Sequence, residues 1–79
     1  MKLNIISPDT VIFEGEGIYL VQLPGIDGSF EIMNNHAPLI SVLKKGTIKV
    51  VIKDKADQAF EINGGVIEVL NNKVLILAE

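Results

Sequence analysis

Short runs of valine, isoleucine and leucine alternate with turn-forming residues along the whole chain, and a helical period fits nowhere over ten residues or more. The clearest case is residues 47–54, where Ile48, Val50 and Ile52 point one way and Thr47, Lys49 and Lys53 point the other way. A period of two places successive side chains on opposite faces of a strand. The pattern therefore predicts an all-β protein, and the length of 79 residues predicts one domain, residues 1–79.

The turn signals divide the chain into about nine or ten predicted strands at a spacing of about eight residues. Two of the predicted turns are residues 44–46 and the tight turn at residues 63–65, whose glycines permit positive φ. Many short strands at this spacing favour an antiparallel sandwich or barrel. The predicted strands are residues 2–7, 10–16, 18–23, 29–33, 39–43, 47–54, 59–63, 66–70 and 73–79.

The chain is close to the lower size limit at which a hydrophobic core is stable alone, which is roughly 70–80 residues. It contains no cysteine, so disulfides and thiolate metal sites are excluded. The single histidine, His36, also excludes a histidine-rich metal site. We therefore expect no metal and no cofactor, and we expect a partner to supply the missing stabilisation.

The charge and the aromatic content indicate that the partner is not a nucleic acid. The net charge is −3, the seven basic residues are all scattered lysines, and 5% of residues are aromatic. Specific recognition of nucleic acids relies on arginine forks and on aromatic rings that stack on bases. No segment approaches the apolar length of a signal-peptide core or a membrane span, so we expect no direct membrane insertion.

No group of residues has the pattern of a catalytic site, so we expect a protein that is not an enzyme. Glu14 and Glu16 alternate on one predicted strand, which is typical of a solvated surface. The glycines of residues 25–28 and 64–65 lack the strand, loop and helix that a phosphate cradle requires. A sandwich that binds a small molecule between its sheets is the alternative from another functional class.

Several predicted strands are apolar on both faces, whereas a lone sandwich exposes one face of each strand to water. In residues 73–79, Val74 and Ile76 point one way and Leu75 and Leu77 point the other way. Residues 66–70 behave similarly. Barrel closure and loops would cover the second face, or the second face is an apolar outer patch that another protein covers.

Four segments together resemble the epsilon subunit of F-type ATP synthases. The most specific is residues 23–40, LPGIDGSFEIMNNHAPLI, in which a glycine-paired turn and a short strand precede a His-Ala-Pro-Leu loop. KGTIKV at residues 45–50 and NGGVIEV at residues 63–69 follow in the same order and at the same spacing. Near the start, Ser7 precedes a strand that ends in FEG at residues 13–15. The resemblance runs the full length of the chain.

The resemblance implies a flattened antiparallel sandwich of two five-stranded sheets that is itself non-catalytic. Family members of this kind bind the gamma subunit along one side and rest one end on the polar loops of the membrane-embedded c-ring. These parts rotate together and carry torque from proton or sodium flow to the catalytic alpha and beta subunits. The resemblance thus implies a central-stalk rotor subunit, peripheral at the cytoplasmic face of the bacterial inner membrane, that meets the alpha/beta head indirectly.

By the same resemblance, the turn at residues 27–29 corresponds to the segment that meets the c-ring. Family members often have a glutamate where this chain has Ser29, so a salt bridge to the ring would come from Asp27 or Glu31 instead. The candidate c-ring contacts are Asp27, Gly28, Ser29 and Glu31.

The candidate gamma contacts are Ser7, Met33, His36 and Ser41. Three of them correspond to gamma-facing positions of the family, and Met33 adds an adaptable apolar side chain beside the loop. For His36 two interpretations stay open, a hydrogen bond to the loop backbone and a contact with the other subunit.

Many family members continue into a C-terminal pair of helices that inhibits ATP hydrolysis and, in some, binds ATP. This chain ends at Glu79, where those helices would begin. Neither property is therefore assigned to it, and we expect a naturally short subunit rather than a fragment.

Overall fold

The computed structural model describes residues 1–79, which form seven strands and no helix. The strands join into one hydrogen-bonded sheet in the order β2-β1-β7-β6-β5-β3-β4. The all-β prediction is confirmed, and no helix is present that could cross a membrane. The strands are β1 (Lys2–Ile6), β2 (Val11–Gly15), β3 (Ile18–Gly25), β4 (Gly28–Met33), β5 (Leu39–Ile52), β6 (Gln58–Leu70) and β7 (Lys73–Ala78).

There are fewer strands than predicted because two predicted turns lie inside long strands. β5 continues through residues 44–46, and β6 continues through residues 63–65. The β5–β6 ladder keeps one register from Leu39↔Val69 to Val50↔Gln58. The two glycine-containing segments are therefore cross-strand neighbours, and the long ladder overrides their local tendency to reverse the chain.

These two segments bend the β5–β6 ribbon instead. Gly65 has φ of 154°, and a Cβ at this position would lie 2.3 Å from the carbonyl oxygen of Leu77. Only glycine fits this close approach of two backbones. The bend divides the sheet into two layers. The first layer contains β2, β1, β7, residues 65–70 of β6 and residues 39–43 of β5. The second layer contains residues 58–62 of β6, residues 46–52 of β5, β3 and β4.

The core lies between the two layers. Sixteen buried apolar residues from both layers form one cluster, and no polar or charged residue is buried. Phe13 on β2 and Phe60 on β6 meet across the layers, with ring centroids 5.4 Å apart. The shortest dimension of the molecule is 19 Å, which fits two sheets packed about 10 Å apart with side chains on their outer faces. The architecture is the predicted sandwich, with five strand segments in the first layer and four in the second, whereas the resemblance implied five in each.

One strand pair contradicts the antiparallel prediction. β1 and β7 run parallel, in register from Lys2↔Lys73 to Ile6↔Leu77. They are the first and last strands of the chain, so no hairpin fixes their relative direction. Hydrophobic alternation identifies the buried face of each strand. It does not indicate whether a strand distant in sequence pairs parallel or antiparallel to it.

Candidate protein-interaction surface

The outer face of the first layer carries a row of apolar side chains that crosses all five of its strand segments. Val11 pairs with Ile6, Ile6 with Leu77, Leu77 with Val66, and Val66 with Val42. Four of these side chains are 39–56% exposed, and that of Ile6 is half-buried. Directly opposite residues on neighbouring strands have Cβ atoms about 5 Å apart, so the row is continuous from Ile6 to Val42, and Val11 adjoins Ile6 at a register shift of the β1–β2 ladder. We call these five residues the apolar stripe.

Apolar surface continues from the stripe in two directions. Beyond β5, the N–H of Ile26 donates to the carbonyl oxygen of Val42 at 3.1 Å, and the Ile26 side chain is exposed. At the end of β1, Ser7 and Pro8 line a shallow groove together with Ile6 and Leu77. The apolar surface is therefore bordered by the β1–β2 turn on one side and by the β3–β4 turn on the other.

The next row on this face is mixed in polarity. Asn4 pairs with Leu75, Leu75 with Glu68, and Glu68 with Ile40. Ile40 is 73% exposed, and the Oδ1 atom of Asn4 is shielded from water without a hydrogen-bond partner. Exposed Leu70 lies beyond this row. The prediction of an apolar outer patch is confirmed, because neither loops nor barrel closure covers the outer side chains of β6 and β7.

The outer face of the second layer is polar along β5 and β6, whereas Met33, Leu20 and Val51 pair as a short apolar row at one end of it. The Thr47 hydroxyl donates to a carboxylate oxygen of Glu61, its cross-strand neighbour. Lys49 Nζ lies 4.0 Å from Asp57 Oδ2, and both side chains are about half exposed. Gln22 lies between Lys49 and Glu31 on this face. Such groups keep their hydration unless a partner replaces each hydrogen bond.

The candidate c-ring contacts lie together on the β3–β4 hairpin. Asp27 lies in the turn, and Gly28 begins β4 with φ of 131°, a conformation that favours glycine. The Ser29 hydroxyl accepts a hydrogen bond from Gln22 Nε2 at 3.4 Å. Glu31 follows two residues later on the same face of the strand. All four candidates are exposed, so the hairpin tip presents a small acidic and polar contact surface.

The candidate gamma contacts do not share one face. Ser7 closes the β1–β2 turn, where its hydroxyl accepts from the N–H of Thr10 at 3.3 Å, and it adjoins the stripe. Ser41 is half-buried opposite Ile67, on the inner side of the first layer. Met33 pairs with Leu20 on the outer face of the second layer. Ser7 therefore lies at the rim of the first layer, Ser41 lies on its inner side, and Met33 lies on the opposite outer face.

His36 lies in the exposed loop between β4 and β5. Its backbone N–H donates to the carbonyl oxygen of Met33 at 3.3 Å, and its Nδ1 lies 2.7 Å from the carbonyl oxygen of Ala37. The first interpretation, a histidine bonded to the loop backbone, matches these contacts. The same loop is tied to the β6–β7 turn, because the N–H of Asn35 donates to Asn72 Oδ1 at 2.7 Å. His36 and Ser7 thus lie at opposite ends of the first layer.

The titratable side chains of the protein are dispersed over its surface. No cluster of three or more histidine, cysteine, aspartate or glutamate residues is present. All three concave sites lie on the exterior, so none offers the pocket between the sheets that a small-molecule sandwich requires. One of them combines Lys2, Lys73 and Glu68, which partly cancel in charge. The chemistry that this surface offers is apolar contact and hydrogen bonding with another protein.

Sequence reasoning identified part of the stripe and missed the rest. The double-sided apolar pattern pointed to Leu77 and Val66, but Val11, Ile6 and Val42 were not singled out. Each of these three is one apolar residue in an ordinary strand, and only the cross-strand register places them in one row.

Together, the fold and the stripe define a class of protein: a small all-β sandwich with a row of exposed apolar side chains on one outer sheet face. Residues 1–79 match the family described as ATP synthase, Delta/Epsilon chain, beta-sandwich domain, and the chain belongs to this family. The resemblance inferred from the four sequence segments is therefore confirmed.

Relatives and solved structures agree with this assignment. The chain is 44% identical over 78 residues to an ATP synthase epsilon chain of Chlorobium limicola, covering 99% of this chain and 88% of the relative. It is 40% identical over 79 residues to an ATP synthase epsilon chain of Sulfurimonas denitrificans, covering 100% of this chain and 60% of the relative. The first relative is thus matched over most of its length, whereas the second extends well beyond the match.

The fold also matches parts of two mitochondrial ATP synthases. The central stalk and c-ring structure from Tetrahymena thermophila gives a TM-score of 0.82 at 20% identity, over 99% of this chain and 62% of that chain. The structure of OSCP, F1 and c-ring from Euglena gracilis gives a TM-score of 0.89 at 19% identity, over 96% of this chain and 48% of that chain. At these identities the likeness concerns the fold alone.

Proposed function

We propose that this chain is a non-catalytic rotor subunit in the central stalk of an F-type ATP synthase. It binds the gamma subunit through the apolar stripe and the c-ring through the β3–β4 hairpin tip. In this position it helps couple ion translocation to ATP synthesis by the alpha and beta subunits. Family membership supports the complex, and the continuous stripe is the observation that supports this mode of attachment.

The stripe supplies the attachment to gamma. Full burial of one aliphatic side chain contributes about 1.5–3 kcal/mol relative to exposure. The stripe residues are already about half covered, so each has roughly half of this to gain when a partner packs on it. Five such side chains in one row contribute several kcal/mol, from which the cost of association is subtracted. Ser7 lies at the rim of this contact, where a hydroxyl can pair with either the partner or water.

The c-ring contact is smaller and polar. Asp27 and Glu31 supply two exposed carboxylates near the hairpin tip, and the ring's polar loops provide the matching groups. Exposed ion pairs of this kind contribute about 0–1 kcal/mol each and weaken with salt. The two contacts therefore differ in kind: burial of apolar surface stabilises the contact with gamma, and exposed charges orient the contact with the c-ring.

Transmission of torque requires a rigid body between the two contacts. The tip and Val42 are joined directly by the hydrogen bond from Ile26, and the β3–β5 and β5–β6 ladders connect both to the core. Force applied at the tip therefore reaches the stripe through backbone hydrogen bonds. The same proposal places the chain peripherally at the cytoplasmic face of the bacterial inner membrane.

Co-purification with gamma, followed by mapping of the protected face, tests the proposal. Methyl cross-saturation by NMR from gamma should affect Leu77, Val66 and Val42 and leave Val51, on the opposite face, unaffected. Saturation transfer to Val51 and Leu20, with none to the stripe residues, would contradict the assignment of the gamma contact to the first layer. Failure of the chain to bind gamma at all would contradict the proposed function.

A further inference from the structure

One stretch of edge strand borders the stripe without a partner strand. Residues 39–42 of β5, here called the open edge, pair with β6 on one side, whereas β5 pairs with β3 only from Leu43 onward. The N–H of Ile26 donates to the carbonyl oxygen of Val42, so the backbone groups of Val42 point away from β6. In an antiparallel ladder the backbone groups of every second residue point to the same side, so the N–H and C=O of Ile40 also point away from β6.

The open edge differs from the other sheet edges in having no charged residue. β2 carries Glu14, β4 carries Glu31, and the first half of β6 carries Glu61, all of them exposed. Charges on edge strands discourage pairing with another chain. The open edge instead presents Ile40, the most exposed large apolar side chain of the protein at 73%.

We propose that the protein that covers the apolar stripe also adds a β-strand to the open edge. This inference rests on the proposed function and specifies how gamma is held. Val42 belongs both to the stripe and to the open edge, so a subunit that covers the stripe to its end reaches the unpaired backbone. Covering Ile40 and Val42 removes water from the N–H and C=O groups beside them, and buried backbone groups require partners. An added strand supplies these partners at matching spacing.

The structure also limits the added strand. Pro38 has no N–H, and the carbonyl of Val42 is already occupied by Ile26. The free groups are the N–H and C=O of Ile40 and the N–H of Val42, which accommodate a strand of about three or four residues. Side chains of that strand on the stripe's side lie next to Ile40 and Val42, so we expect them to be apolar.

Amide hydrogen exchange in the complex with gamma tests the inference. We expect exchange at the Ile40 amide to slow at least tenfold when gamma binds. Unchanged exchange at Ile40, with the methyl groups of Leu77 and Val66 still covered by gamma, would overturn strand addition while leaving the proposed function intact. If neither the amide nor the methyl groups respond, both the inference and the proposed function are wrong.

A matched pair of variants isolates the hydrogen bond. Ile40→Ala and Ile40→Pro both remove the large side chain, but only proline removes the N–H. Proline is tolerated where the N–H points away from the sheet, and the preceding Leu39 is already extended. We expect Ile40→Pro to weaken gamma binding at least tenfold more than Ile40→Ala, as measured by calorimetry. Equal weakening in two folded variants would overturn the inference.

Two further measurements complete the test. If Ile40→Pro does not fold, a backbone ester at Ile40, made by chemical synthesis, removes the N–H and keeps the side chain, and the same loss of affinity is expected. Sedimentation of the chain alone and with excess gamma examines a second copy as the occupant. A dimer that persists with gamma bound and is lost in the ester variant would overturn the assignment of the edge to gamma.

Discussion

The two outer faces of the sandwich share a backbone architecture and differ in what they offer to a partner. β5 illustrates this within one strand: before the bend it presents Ile40 and Val42 outward, and after the bend it presents Thr47 and Lys49. The first face is a row of half-exposed aliphatic groups, whereas the second has exposed hydrogen bonds and an ion pair. The difference shows that the core does not dictate the outer face, so the outer apolar row requires a separate explanation, which a covering partner provides.

The largest expected effect is a difference in the free energy of unfolding between a variant on the inner face of β6 and a variant on its outer face. Ile67 is fully buried, and its neighbour Val66 lies on the stripe. We expect Ile67→Ala to reduce the free energy of unfolding by about 2–5 kcal/mol, because it removes buried methyl groups and leaves a cavity. Val66→Ala should cost about 1 kcal/mol or less in the isolated chain. Urea unfolding of both variants checks this, and a similar loss in both would mean that the stripe is part of the folding core.

The second prediction compares the two outer faces directly. Leu77→Asp places a charge at the centre of the stripe, and Ala59→Asp places one on the exposed outer face of the second layer. We expect Leu77→Asp to weaken gamma binding by about 30-fold or more, the scale of an interface hot spot. The control should change affinity less than about threefold. A larger loss in the control, measured by calorimetry, would reverse the assignment of the faces.

A smaller effect concerns the hairpin tip. Replacing both Asp27 and Glu31 by alanine removes two exposed carboxylates without disturbing the stripe. We expect roughly a threefold to tenfold weakening of the c-ring contact at low salt and little change in gamma binding. Reconstitution with the c-ring and with gamma separately measures the two contacts. Loss of gamma binding in this variant would show that the two attachment sites are interchanged.

The smallest effect is expected for the ion pair on the second face. Lys49 and Asp57 are separated by 4.0 Å and are about half exposed. We expect Lys49→Ala to change the free energy of unfolding by less than about 1 kcal/mol, because exposed pairs are screened by water and salt. Thermal unfolding at low and high salt provides the measurement. A loss well above this value would mean that the polar face contributes to stability as well as to solubility.

Much of the fold could be predicted from local patterns, but the joining of its parts could not. Alternation of Ile48, Val50 and Ile52 correctly identified an inner face, because strand side chains alternate whatever their partner. The segment at residues 63–65 was wrongly predicted as a chain reversal, because its glycines serve the close approach of Gly65 to β7. Glycine suits both a chain reversal and a close approach of two backbones. Only the β5–β6 ladder shows which of the two applies here.

The candidate site was predictable to a similar degree. The c-ring candidates lie next to one another in the chain, so one hairpin necessarily holds them together. The gamma candidates come from separate strands and loops, and the structure distributes them over different faces. Their assignment by resemblance remains a prediction, and the stripe offers an independent basis for the gamma contact.

The sequence by itself determined that this protein is built from strands, that its core is aliphatic, and that some strands are apolar on both sides. These properties depend on near neighbours in the chain, because side-chain direction and turn chemistry are local. The tertiary structure alone decided that Val11, Ile6, Leu77, Val66 and Val42 form one row and that β1 and β7 run parallel. The physical reason is that register between distant strands is set when both layers bury their inner faces at once, which no single segment encodes.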